Sequence, residues 1–168
     1  YKLEHATALA LTVDSITIAD ISYVNVALGA YNSLSSTVKT LLTSEKALLD
    51  NLLLEINRQK TKLLEVALFK TENNQVLVLT INSVTTSDKT NVEAALSAYN
   101  SLSNDAKAIL TSEKALLDNL LVEILRQESI LLEVALFKTE NNQVLTLTIN
   151  LITIPDKTNV ESALSAYD

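Results

Sequence analysis

Few residues in this chain could transfer a proton or hold a metal, and they are scattered. The one histidine is His5, and cysteine is absent. A zinc-type site needs several His, Cys or carboxylate ligands converging on one point, and a Ser-His-Asp arrangement needs a histidine placed by a scaffold. His5 therefore reads as a solvated or core side chain. Gly29 is the only glycine, so a glycine-rich phosphate cradle is not encoded. The run Glu72-Asn73-Asn74-Gln75, found again at 140–143, is rich in the oxygen donors that calcium prefers. It carries one carboxylate per copy, so it reads as a turn or a polar helix face rather than a weak calcium site. Lys46 and Asp50 stand at i, i+4, the spacing of a surface ion pair. Glu65 and Glu133 interrupt apolar runs and read as marks of a solvent edge. The expectation is a protein that is not an enzyme, with no catalytic residue, no cofactor and no metal.

The elements that carry these residues follow from composition. In 168 residues there is one Gly and one Pro, while 48% are hydrophobic and mean hydropathy is +0.22. An all-β chain needs turn residues at frequent intervals, whereas a Leu-, Ala-, Lys- and Glu-rich chain with few breakers favours helices. The hydrophobic content argues against disorder. No apolar run reaches the ~18 residues of a membrane span. A net charge of −7 disfavours nucleic acid and anionic membrane surfaces as partners. The opening Tyr1-Lys2-Leu3-Glu4 is unlike a secretion signal and lacks an initiator Met, which suggests a processed chain or an internal fragment.

The strongest signal is self-similarity at an offset of 68. Ala30-Tyr31-Asn32-Ser33-Leu34-Ser35 returns as Ala98-Tyr99-Asn100-Ser101-Leu102-Ser103, residues 43–51 return at 111–119, and 63–75 return at 131–143. Ser165-Ala166-Tyr167 opens a third copy. The reading is a tandem array: residues 1–19 close one unit, 20–87 and 88–155 are whole units, and 156–168 begin another.

Within a unit, Asp20, Asp88 or Asp156 would cap the first helix, with Thr90 and Glu93 as an alternative capping box one turn later. Val92, Ala95, Leu96, Tyr99 and Leu102 form one amphipathic stripe. The recurring Tyr31, Tyr99 and Tyr167 read as core residues with the hydroxyl at an edge. Ser103-Asn104-Asp105 starts a very short helix, and Thr111 or Ser112 caps a long one running past Leu136. The wide apolar face of that helix calls for neighbours on more than one side. The β-branched run Val144 to Ile149 leaves two readings open. Either the helix continues to about Asn150, giving an all-α array of helical-bundle units, or the fold is α+β with β-hairpins at about 65–81 and 133–149.

The stretch Thr85-Thr86-Ser87-Asp88-Lys89-Thr90-Asn91-Val92-Glu93-Ala94-Ala95-Leu96-Ser97-Ala98-Tyr99 resembles a helical tandem repeat of large Gram-positive bacterial cell-surface proteins. Ile152-Thr153-Ile154-Pro155-Asp156-Lys157 fits the opening of the same pattern. The match covers about half of each unit and departs from it over residues 58–77, where this chain carries extra sequence. The resemblance implies an extracellular stalk, adhesin or surface-layer region.

Differences between the copies point to a surface. Asn57 becomes Leu125 and Lys62 becomes Ile130. A unit that folds with Asn and Lys there does not need Leu and Ile for its own core, so Leu125 and Ile130 are the candidates for self-association with a neighbouring chain or unit. The expected function is a structural repeat segment of a bacterial filament, stalk or layer. The alternative is a helical binding module for a host or matrix protein.

Overall fold

The computed structural model describes residues 1–167, and among them there is no β-strand. The fold is all-α. The chain divides into two compact units, Tyr1–Glu72 with Ser101–Thr111, and Asn73–Asn100 with the residues from Ser112 onward.

The first unit holds α1 (Ala6–Leu9), α2 (Ile21–Asn32), α3 (Ser36–Thr40), the long α4 (Thr43–Glu72) and α7 (Asn104–Lys107). Its core is made by two matching stripes. Val24, Ala27 and Tyr31 stand at i, i+3, i+7 on α2, and Leu49, Leu52 and Ile56 repeat that spacing on α4. Val24, Ala27, Leu49, Leu52 and Ile56 are wholly buried, and α2 packs along the first half of α4. Each such aliphatic side chain removed from water contributes about 1.5–3 kcal/mol. Ala8 of α1 and Ile16 close the end of this core.

The second unit holds α5 (Asn74–Leu77), α6 (Lys89–Ser101), the long α8 (Thr111–Glu140), α9 (Asn142–Leu145) and α10 (Lys157–Tyr167). Val92, Ala95 and Tyr99 of α6 and Leu117, Leu120 and Ile124 of α8 are its buried stripes. Lys89 of α6 reaches Glu128 of α8 at 2.7 Å, and Lys114 of α8 lies 5.9 Å from the centre of the Tyr99 ring. Gln127 donates its side-chain amide to the Val84 carbonyl at 3.0 Å, as Gln59 does to Ile16 at 2.9 Å in the first unit.

The hairpins of the alternative reading do not form. Residues 65–72 belong to α4 and 133–140 to α8, and the Glu-Asn-Asn-Gln runs break the helix for one residue before it resumes as α5 or α9. At the second break the Phe137 carbonyl accepts from both the backbone N–H of Asn141 at 3.0 Å and its side-chain amide at 2.9 Å, which holds the end of the long helix in place. The β-branched stretch after α5 is then held in a turn, because Ser83 Oγ accepts from the Thr80 N–H at 2.9 Å and the Ser83 N–H returns to the Thr80 carbonyl. Thr12 and Ser15 repeat this turn. Nor does one helix run to Asn150, since α9 stops at Leu145.

The helix start is also placed differently from expectation. Asp20, Asp88 and Asp156 are the last residues of short 3₁₀ turns (Ile18–Asp20, Thr86–Asp88, Ile154–Asp156), and the extended residue in front of each turn is Thr17, Thr85 or Thr153. The Asp carboxylate reaches back to accept from the Thr backbone N–H at 2.9, 2.8 and 2.8 Å, and from the Thr hydroxyl. Thr-x-x-Asp thus works as a reciprocal cap, and Thr90 lies inside α6. Replacing Asp88 by Ala should cost about 1 kcal/mol of stability, the usual worth of such a cap, and a urea titration of the variant measures it. Ser103 behaves as expected, its hydroxyl accepting from the Ala106 N–H at 3.2 Å.

Candidate interaction surface

Among the described residues no three His, Cys, Asp or Glu side chains converge and no polar or charged side chain is buried. His5 sits just before α1 with its ring 4.7 Å from that of Tyr1. Gly29 lies in mid-helix with open space around it. Lys46 and Asp50 form the expected surface pair at 2.6 Å, repeated by Lys114 and Asp118. Glu72 ends α4, and Asn74 and Gln75 lie in α5. Tyr31 and Tyr99 are both 9% exposed, and the Tyr31 hydroxyl donates to the Lys39 carbonyl at 3.3 Å. Tyr167, in contrast, is exposed and meets Phe137 edge-on, with ring centres 6.1 Å apart.

The ionisable groups are tuned by surface pairing. Arg58, then the Gln59 amide, hold the Glu55 carboxyl at about 2, down from 4.5. Arg126 and Gln127 do the same to Glu123, also at about 2. Lys2 pulls Glu45 down, and Thr153 lowers Asp156 through its hydroxyl and backbone N–H. A carboxyl with a lower value in the folded than in the unfolded chain adds stability above its unfolded value and loses it as pH falls through the folded one. The thermal midpoint should therefore decline as pH drops from about 4.5 to about 2. In the double variant Glu55→Gln/Glu123→Gln that decline should be shallower, which a pH series of melting curves tests.

The feature that stands out is the second half of each long helix. Leu63, Leu64 and Leu68 of α4 are exposed, as are Leu131, Leu132, Val134 and Leu136 of α8. On α8, Leu125, Leu132 and Leu136 fall at i, i+7, i+11, one stripe along the helix, exposed by 47%, 71% and 55%. Leu64 and Leu68 carry the same stripe on α4, with Asn57 in the place of Leu125. Ile130, 43% exposed, belongs to a neighbouring stripe with Arg126, Glu133 and Phe137. Both candidates thus lie on solvent-facing surface, but they face different ways.

Sequence reasoning placed these leucines on an apolar helix face and asked for neighbours, which the periodicity alone could indicate. It assigned Glu65 only to a solvent edge. In the structure Glu65 is half-buried and its carboxylate accepts from the Ser103 N–H at 3.2 Å and from the Ser103 hydroxyl, while Arg58 pairs with Asp105. Those partners lie 38 and 47 residues away in sequence, and no local spacing announces them. No family model, no curated protein and no solved structure matches this chain.

Proposed function

We propose that the chain is a non-catalytic structural segment, built of tandem units of about 68 residues, in an extracellular bacterial filament, stalk or surface layer. The units associate side by side through their long helices. The observation that carries this reading is the uncovered leucine stripe on the distal half of α8, Leu125–Leu132–Leu136, with Leu64 and Leu68 on the same face of α4. A spacing of i, i+7, i+11 is that of a helix seam packing on another helix. Contiguous exposed apolar surface on a soluble chain marks an interaction site.

Two further facts support the repeat reading. The helices Thr43–Glu72 and Thr111–Glu140 have the same length of 30 residues and begin 68 positions apart. Three of their buried residues correspond, Leu49 with Leu117, Leu52 with Leu120 and Ile56 with Ile124, while Phe69 is buried and its counterpart Phe137 is not. The outward location rests on the resemblance to Gram-positive surface repeats alone. No described helix is long and apolar enough to cross a membrane, so attachment to a cell would need something other than these helices.

Sedimentation velocity combined with negative-stain imaging tests the proposal. Filaments, sheets or concentration-dependent oligomers are expected. Discrete monomers that capture a host or matrix protein would favour the binding-module alternative.

A further inference from the structure

We propose that the face of α8 formed by Arg126, Ile130 and Glu133 is a docking site for a short serine-capped helix of the kind that α3 presents, as a tandem unit placed after α10 would supply it. The inference rests on the tandem-unit reading above.

The first unit contains the pattern. Arg58, Lys62 and Glu65 stand at i, i+4, i+7 on α4, and against them lies α7. Glu65 accepts from the backbone N–H and hydroxyl of Ser103, the residue that caps α7. Arg58 pairs with Asp105, and Lys62 lines the same groove with Ser103 and Asp105. Ala106, three residues beyond the cap, is wholly buried. A carboxylate on a helix-capping N–H together with an arginine on the first-turn acid fixes both the position and the direction of the short helix.

The second long helix presents the same groups without the occupant. Arg126 and Glu133 are the counterparts of Arg58 and Glu65, but each engages only its own helix. Arg126 binds Glu123 at 2.7 Å, and Glu133 accepts from the Ser129 hydroxyl at 3.4 Å. Beside them Ile130 and Val134 are 43% and 45% exposed.

The other half of the contact is also uncovered at the opposite end of the chain. Ser35 caps α3 as Ser103 caps α7, accepting from the Val38 N–H at 3.4 Å. Val38, the counterpart of the buried Ala106, is 38% exposed, and Leu41 is 76% exposed. The first unit's own helices therefore leave this position open; in the chain's one complete example the preceding long helix lies against it. The chemistry of the two open halves matches. Where α4 offers Lys62 to a segment carrying Asp105, α8 offers Ile130, and the open segment carries Thr37 and Val38 in place of Asp105 and Ala106. The occupant that fits α8 is a helix with a serine cap, no acid in its first turn and an aliphatic residue three positions after the cap.

The test extends the chain. Residues 33–100 are appended after Asp168, with a cysteine at the appended counterpart of Val38. The protein has no cysteine of its own, so this thiol alone reports, and Val38→Cys in the unextended chain gives the rate for the open site. Docking predicts that the appended thiol reacts about tenfold or more slowly than that reference, since a covered thiol is shielded from reagent. It also predicts that Glu133→Ala restores most of the rate. In the unextended chain Glu133→Ala should leave the melting curve unchanged, which keeps the readout specific to docking. A thiol as reactive as the reference, in a chain whose helix signal has grown with the added residues, overturns the docking site and leaves the tandem reading standing. Added residues that contribute no helix overturn both.

Discussion

Leu52→Ala should lower the free energy of unfolding by about 2–5 kcal/mol, the range for truncating a buried leucine when the cavity does not close. Leu52 is 0% exposed and sits in the middle of the α4 stripe that faces Val24 and Ala27. The loss removes both the transfer energy of the deleted carbons and the contacts they made across the helix pair. Leu120, its counterpart in the second unit, is also 0% exposed, and Leu120→Ala should cost a similar amount. A small helical unit has little stability to spare, so either substitution should be visible as a large shift in a denaturant titration. Leu132→Ala is the contrast. At 71% exposure that leucine adds little to its own unit, and the variant should fall within about 0.5 kcal/mol of the parent, as surface changes do. A comparable loss for Leu132 and Leu52 would mean that the distal stripe is core after all.

Leu125→Asn combined with Ile130→Lys should weaken self-association by about tenfold to a hundredfold, which corresponds to about 1.4–2.8 kcal/mol. Each change installs the residue that α4 already carries at the corresponding position, Asn57 or Lys62. Both parent side chains are more than 40% exposed, so the fold of the unit should tolerate the pair. What changes is an interface, because an amide and an ammonium group resist transfer into an apolar contact. Equilibrium sedimentation of parent and variant over a concentration series measures the difference. Association constants that agree within error, with both chains folded, would refute a role for these residues.

The all-α class was legible because breakers are nearly absent and the apolar spacing is helical. The stripes Val92–Ala95–Tyr99 and Leu117–Leu120–Ile124 are buried as a helical period requires. Ser103 was legible as a cap because its serine precedes Asn-Asp at a clean break. Two local features misled. Asp88 is a good capping residue by type, but Thr85 three residues earlier is one as well, and only the folded backbone shows that the carboxylate points back to the threonine. The run after α5 is rich in β-branched residues, which favour strands when a partner strand exists. Here the Thr80–Ser83 turn takes up the backbone instead.

The candidate surface was legible only in part. Periodicity identifies an apolar face but not what covers it. Nothing local distinguishes Leu120, which is buried, from Leu132, which faces solvent. The comparison of positions 57 with 125 and 62 with 130 singled out Leu125 and Ile130, and both lie on exposed surface. The contacts of Glu65 with Ser103 and of Arg58 with Asp105 are long-range, and they became visible only with the fold.

The most direct measurement of the central claim is sedimentation velocity of the unmodified chain across a wide concentration range. Lateral association through the long helices predicts sedimentation coefficients that rise with concentration, with extended or sheet-like particles at the upper end. A single species at the mass of one 18.3 kDa chain throughout the range would contradict it.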